Sequence, residues 1–216
     1  MTRVKICGIT SLSEALLAER NGADAIGVLV GRLHVSPDFI SPELAAEICS
    51  RLPPFLTSVF VTHLEDSVEI IRLAELIPAR ALQIHSDVPR SVLQALRERI
   101  WPRKLIGKIS IMDESALLRA HEIETAVDAI VLDSADPKTN RVGGTGIVHD
   151  WSISARIVSE VKIPVILAGG LNPENVAAAI AAVKLWAVDV HSGVEMPDGK
   201  KCEKRIGDFI KTAHAT

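Results

Sequence analysis

The sequence has few cysteines, few aromatic residues and no long apolar run, and each shortage excludes a class of protein. Three cysteines in 216 residues do not suit a disulfide-stapled secreted module. No stretch approaches the roughly 18 continuous apolar residues of a membrane helix, so we expect no membrane partner. The segment Met1–Ile6 is strand-like and lacks a signal-peptide pattern, which favours the cytoplasm.

The chain also lacks a block of basic residues. It carries 24 Lys and Arg against 27 Asp and Glu, with a net charge of -3. We therefore expect no nucleic-acid partner. Hydrophobic residues make up 48% of the sequence, which excludes disorder. Only 3% of residues are aromatic, so aliphatic side chains must fill the core.

Short β-branched apolar runs alternate with amphipathic segments along the whole chain. Most runs are apolar on both faces, which is typical of parallel strands buried on both sides. The predicted strands are Val4–Cys7, Ala25–Val30, Ser58–Val61, Ala81–Ile84, Leu105–Ile109, Ala129–Leu132, Val165–Leu167 and Ala187–Val190.

Helix signals lie between these strands. Ser11 to Glu14 has the spacing of a capping box, and Asn21-Gly22 is a typical helix end. Ser41-Pro42 and Asn172-Pro173 each place a capping residue before a proline at the first helical position. The remaining predicted helices are Glu65–Leu76, Val88–Arg97, Glu114–Glu122, Trp151–Val158 and Lys201–Lys211.

Eight strand–helix units without a linker predict one (β/α)8 TIM-barrel domain of the α/β class over residues 1–216. A doubly wound open sheet is the alternative, although it usually needs fewer strands. In a barrel the active site lies at the C-terminal ends of the strands.

Three glycine-containing loops follow the last three predicted strands. They contain Gly144, Thr145 and Gly146 after the sixth strand, Gly169 and Gly170 after the seventh, and Ser192 and Gly193 after the eighth. Each glycine pair alone fits a tight turn. Together the loops favour phosphate binding, because glycines let backbone N–H groups approach an anion.

Two reactive side chains end predicted strands. Cys7 ends the first, where it is either an inert small hydrophobe or a base or nucleophile. Asp133 follows the sixth, where it is either a turn residue or an acid facing Cys7 across the barrel mouth.

Six segments in order along the chain resemble the phosphoribosylanthranilate isomerase family of tryptophan biosynthesis. They are Lys5–Thr10, Leu82–His85, Leu132-Asp133, Gly143–Gly146 with His149–Trp151, Leu167–Val176 and Asp189–Glu195.

The resemblance implies a TIM barrel that rearranges N-(5-phosphoribosyl)anthranilate to 1-(2-carboxyphenylamino)-1-deoxyribulose 5-phosphate without a cofactor. It implies Cys7 as general base, Asp133 as general acid and the glycine loops as the phosphate site. We expect further substrate contacts from Lys5, Arg32, Asp38 and His85. The expected partner is this phosphorylated small molecule, and the chain is expected to be a monomer or homodimer.

The second loop departs from the family pattern. Asp38 stands where the family has an arginine that pairs with the anthranilate carboxylate, and this reverses the charge. Arg32, six residues earlier, is the candidate substitute.

Histidines His34, His63 and His191 also depart from the family pattern at strand ends. Together with Asp38 they are weak candidates for metal ligands. They leave open a metal-dependent lyase or hydrolase of another phosphorylated molecule. A non-catalytic sensor of a phosphoribosyl metabolite is a third alternative, against which Cys7 and Asp133 both argue.

Overall fold

The computed structural model describes residues 1–31, 37–134 and 149–216, where strands and helices alternate. The strands are β1 (Arg3–Ile6), β2 (Ala25–Leu29), β3 (Thr57–Thr62), β4 (Ala81–Ile84), β5 (Lys104–Ile111), β6 (Ala129–Ser134), β7 (Val165–Leu167) and β8 (Ala187–Val190). The helices are α1 (Leu12–Arg20), α2 (Pro42–Ser50), α3 (Ser67–Leu76), α4 (Arg90–Ile100), α5 (Ser115–Ile123), α6 (Trp151–Glu160), α7 (Val176–Val183) and α8 (Glu203–Ala215).

The strands form a closed parallel barrel in chain order from β1 to β8. Strand β8 closes the ring on β1, with Arg3 opposite Ala187 and Ile6 opposite Val190. This confirms the predicted TIM barrel, and the open-sheet alternative is wrong. Closure brings the loops after β2 and β8 to either side of the end of β1.

Two predicted helix starts are confirmed by their side-chain caps. The Ser11 hydroxyl accepts from the Glu14 N–H, and the Ser41 hydroxyl accepts from the Leu44 N–H. The Glu14 carboxylate does not reach back to Ser11. It accepts instead from the backbone and hydroxyl of Thr10, so the capping box is displaced by one residue.

The predicted start of α7 is wrong. The Asn172 side chain accepts from the backbone N–H groups of Glu174 and Asn175 at 3.0 Å each, which builds a separate turn. Helix α7 begins only at Val176, with Asn175 as its N-terminal flanking residue. Asn172-Pro173 therefore shapes the loop after β7 and does not begin the helix.

Two strand ends also differ from the predictions, and both carry a candidate catalytic residue. Strand β1 ends at Ile6, so Cys7 is the first residue of the loop. Strand β6 runs through Ser134, so Asp133 lies within the ladder, opposite Ser110 of β5. Asp133 is therefore held by strand pairing, whereas the position of Cys7 depends on the turn after β1.

The core has two layers. Aliphatic side chains on the outer face of the barrel pack against the helices, and a smaller apolar cluster fills the interior. The interior also holds polar side chains near the C-terminal ends of the strands, at alternate positions of the pleat. These buried residues are Lys5, Gln83, Lys108, Asp133 and Asp189. The expectation of strands apolar on both faces is wrong at these positions.

Among the described residues, no helix is both long enough and apolar enough to cross a membrane.

We expect burial to determine what a Leu→Ala change costs in this fold. Leu96 of α4 has no exposed surface, whereas Leu118 of α5 is 73% exposed. Leu96→Ala should lower the free energy of unfolding by about 2–5 kcal/mol, because it leaves a cavity between helix and barrel. Leu118→Ala should change it by less than about 0.5 kcal/mol. Urea unfolding followed by circular dichroism measures both, and equal losses would contradict this assignment of the core.

Candidate active site

Cys7 lies at the C-terminal end of β1, above a buried ion pair. Its backbone N–H donates to the Val190 carbonyl at 2.8 Å, which ties the turn to β8. Lys5, two residues earlier on the same face, places its ammonium 2.6 Å from Asp189 Oδ2. Both ionic side chains are nearly inaccessible, at 5% and 6% exposure.

Gly27 on β2 shows how closely Lys5 and Cys7 approach. A Cβ at Gly27 would lie 2.8 Å from Cys7 Sγ and 3.2 Å from Lys5 Nζ. The thiol and the ammonium therefore border the same small volume, within the roughly 4–6 Å over which an opposite charge favours ionisation. A side chain at residue 27 would separate them.

Burial and charge act in opposite directions on these two groups. Burial raises the pKa of the Cys7 thiol, and the nearby Lys5 ammonium opposes this rise without cancelling it. Burial favours a lower pKa for Lys5, but the Asp189 carboxylate and the Cys7 sulfur together outweigh it and raise that pKa. Lys5 therefore stays charged beneath Cys7.

Asp133 is held at both carboxylate oxygens. Oδ1 accepts from the Ser134 N–H at 2.8 Å, and Oδ2 lies 2.9 Å from His85 Nε2. Burial favours a raised pKa, but the His85 hydrogen bond and the positive charges of His85 and Lys108 outweigh it. They hold the pKa of Asp133 below its usual range. The carboxyl group is thus ionised at neutral pH unless His85 passes it a proton.

His85 continues this chain of contacts away from Asp133. Its Nδ1 lies 3.0 Å from the Gln83 side-chain nitrogen, and its ring packs against His63 with centroids 4.9 Å apart. Phe39 packs edge-on against the other side of His63. His63 therefore supports the ring of His85, and His63 and His191 do not fall in one metal-binding cluster of the described residues.

The glycine loops after β7 and β8 pack directly against each other. A Cβ at Gly193 would lie 1.9 Å from the Leu171 carbonyl oxygen, so only glycine fits there. The Gly170 carbonyl accepts from the Asn175 side chain, and the Gly193 carbonyl accepts from Arg205 at 2.9 Å each. These bonds fix the carbonyls of both loops at the mouth of the barrel.

The loops after β2 and β8 bring Asp38, His191 and Glu195 together. His191 Nε2 lies 3.5 Å from Asp38 and 3.4 Å from Glu195. Glu195 Oε1 also accepts a hydrogen bond from the buried Lys201 ammonium at 2.6 Å. Sequence reasoning identified Asp38 and His191 but missed Glu195, although its position four residues after His191 was a signal.

Five of the predicted site residues lie outside the described residues. They are Arg32, His34, Gly144, Thr145 and Gly146. Lys108, whose charge acts on Asp133, was missed by sequence reasoning because a lysine within a strand usually points to solvent.

Comparison with known proteins gives a consistent result over the full chain. The family model described as N-(5'-phosphoribosyl)anthranilate isomerase matches residues 4–212. A Methanosarcina mazei protein, N-(5'-phosphoribosyl)anthranilate isomerase 2, is 42% identical over 98% of this chain and 93% of its own.

Two solved structures are similar over the whole of both chains. One is a phosphoribosyl anthranilate isomerase in complex with reduced 1-(o-carboxyphenylamino)-1-deoxyribulose 5-phosphate, with 36% identity and a TM-score of 0.85. The other is a monomeric form of the dimeric enzyme of Thermotoga maritima, with 35% identity and a TM-score of 0.84. The barrel, the residues at its mouth and these matches agree, and the chain belongs to the N-(5'-phosphoribosyl)anthranilate isomerase family.

Proposed function

We propose that the chain catalyses its family's reaction with Cys7 as general base and the Asp133–His85 pair as general acid. The chain is an N-(5'-phosphoribosyl)anthranilate isomerase of tryptophan biosynthesis. We base these roles on the surroundings of Cys7 and Asp133. The thiol borders a buried ammonium, and the carboxylate borders a histidine, at strand ends three strands apart around the barrel.

The acid step begins at His85. The side-chain nitrogen of Gln83 lies within hydrogen-bond distance of His85 Nδ1. The Oε1 atom of Gln83 is buried without a hydrogen-bond partner among the described residues. Rotation of this amide would direct Oε1 at Nδ1–H and stabilise the imidazolium. The imidazolium then passes its Nε2 proton to Asp133, which protonates the ribose ring oxygen as the C1'–O bond breaks.

The base step follows ring opening. The Cys7 thiolate removes the C2' proton of the Schiff base, and the electrons of that bond flow toward nitrogen to give an enolamine. The enolamine tautomerises to the ketone by losing its O2' proton and gaining one at C1'. The acid pair has lost one proton and Cys7 has gained one, so proton transfer between them restores the enzyme. The expectation that no cofactor takes part stays a prediction.

The substrate phosphate is assigned to the loops after β7 and β8, with Gly169, Gly170, Ser192 and Gly193. Backbone amides at glycines can approach an anion closely. Gly144, Thr145 and Gly146 complete the proposed phosphate site, and Arg32 remains the proposed cation for the anthranilate carboxylate. We propose that Lys5 acts on the ionisation of Cys7 and does not bind the substrate, because its ammonium already pairs with the Asp189 carboxylate. The three cysteines are free, which suits the proposed cytoplasmic location.

We also propose that the chain forms a homodimer through the N-terminal end of the barrel. A cavity of about 1150 Å³ lies there, bordered by Trp186, Pro53 and Phe55. Phe55 is 96% exposed and Trp186, which borders the same cavity, is 43% exposed, so two large aromatic side chains are available at this end. A protruding ring beside a cavity on the same face is the arrangement that a self-complementary two-fold interface requires. This interface would leave the catalytic end of the barrel open.

Removal of either proton-transfer group should abolish most of the turnover. Cys7→Ala and Asp133→Asn should each lower kcat/KM by about 10²–10⁴-fold, the usual contribution of a general acid or base. Loss of anthranilate fluorescence from freshly made substrate measures turnover. Cys49→Ala is the matched control, since burial raises the pKa of that helix thiol to about 11. Undiminished turnover by Cys7→Ala would contradict the mechanism.

Loss of the buried ion pair should raise the pKa of Cys7 further. In the double variant Lys5→Met/Asp189→Asn, which leaves no unpaired charge, thiolate should form only at higher pH. The rising limb of kcat/KM against pH should therefore move to higher pH.

The alkylation rate of Cys7 by iodoacetamide, in a Cys202→Ser background, reports the same pKa without turnover. A purely structural role for Lys5 would lower activity at every pH and leave the midpoint of both curves in place.

A charge at the exposed aromatic ring should break the dimer. Phe55→Glu should shift the sedimentation equilibrium from dimer to monomer, because the carboxylate would have to be buried unpaired. Leu118→Glu, at a similarly exposed apolar site on α5, is the control and should remain dimeric. A monomeric parent protein would refute the interface.

A further inference from the structure

We propose that Asp38, His191 and Glu195 form a binding site for one divalent cation of the zinc class. Each residue offers one ligand atom, and these atoms lie within 4.8 Å of one another. The site lies at the C-terminal end of the barrel, between the loops after β2 and β8. Binding of the cation would not require the isomerase reaction, so the proposal does not depend on the assigned catalytic roles.

The distances at His191 suit coordination better than hydrogen bonding. Nε2 is 3.5 Å from Asp38 Oδ2 and 3.4 Å from Glu195 Oε1. Charge-assisted hydrogen bonds are shorter, about 2.7–2.9 Å. Two ligands of a tetrahedral ion at about 2.0–2.1 Å lie roughly 3.3–3.4 Å apart. The two distances from Nε2 to the carboxylate oxygens therefore match the spacing of ligands around such an ion.

The Nε2 atom itself points to a missing ligand. It is buried and makes no hydrogen bond within the described parts of the chain. A buried imidazole nitrogen between two carboxylate oxygens is unfavourable unless a positive charge lies there, either a proton on the ring or a bound cation. A divalent ion supplies that charge and uses the nitrogen lone pair.

The imidazole ring is held in place by the backbone below it. A Cβ at Gly8 would lie 2.0 Å from His191 Nε2, so the ring rests on the peptide that follows Cys7. The proposed ion would thus lie close to the catalytic thiol. Three protein ligands leave at least one coordination position, as in catalytic zinc sites.

The surrounding charges favour a cation. Asp38 and Glu195 contribute two negative charges, and Lys201, 2.6 Å from Glu195 Oε1, contributes one positive charge. Lys201 competes for Glu195, but a carboxylate has enough lone pairs to accept its bond and also coordinate a metal.

Calorimetric titration of the chelator-treated full-length protein with ZnCl₂ tests the site. We expect one zinc ion per chain, bound more than about tenfold more weakly by His191→Ala and by Asp38→Ala, since even outer-shell losses cost that much. The matched control is His121→Ala on α5. His121 also lies between two carboxylates, 3.1 Å from Glu160 and 3.9 Å from Glu124, and its loss should change nothing.

Titration with Co²⁺ identifies the ligand type. The proposed nitrogen and oxygen ligands should give visible d–d bands without a thiolate charge-transfer band. Three results would overturn the proposal: no zinc binding by the parent protein, binding unchanged in both His191→Ala and Asp38→Ala, or a thiolate band that assigns the ion to cysteine. Thermal melts of each variant establish that the protein tested is folded.

Discussion

The ion pair between Lys5 and Asp189 is the constraint on which the catalytic end of the barrel depends. The two residues are direct partners in the ladder that joins β1 to β8, the pair of strands that closes the ring. A slip of one residue in that register would turn Lys5 or Asp189 out of the interior. The pair does little for stability by itself, because desolvation of both ions offsets their attraction and Asp189 Oδ1 lacks a hydrogen bond among the described residues. Its position beneath Cys7 is the basis of the role proposed for it in the chemistry.

Closure of the barrel also brings together two residues that depart from the family pattern, Asp38 and His191. Asp38 and His191 are far apart in sequence, where only their shared strand-end position grouped them. Strand β1 has β2 and β8 as neighbours, so the loops after those strands flank Cys7 and Gly8. Asp38 reaches His191 in this space. The reversed charge at position 38 therefore has a local partner, and its effect on the anthranilate carboxylate cannot be judged from position 38 alone.

The fold could be predicted from the sequence because the signals for it are local and repeated. Apolar runs, Ser11 and Ser41 caps and eight regular units define a barrel without any tertiary information. Cys7 and Asp133 were found because they follow or end such runs. Gln83, Lys108 and Glu195 were not, because their roles depend on which pleat face is interior and on contacts between distant strands. The start of α7 was misplaced because the side chain of Asn172 serves equally well in a turn or at a helix cap.

The contact between His191 and Gly8 restricts the order in which this active site can change over evolution. Gly8 has a positive φ of 74° and is covered by the imidazole, so a side chain at residue 8 would be strained and would also displace the histidine ring. A smaller residue at position 191 would remove the clash at position 8 but not the strain of the positive φ. The reverse order, with residue 8 changed first, passes through a clash beside the catalytic thiol. The histidine at residue 191 thus adds a second reason for glycine at residue 8, although 182 residues separate them.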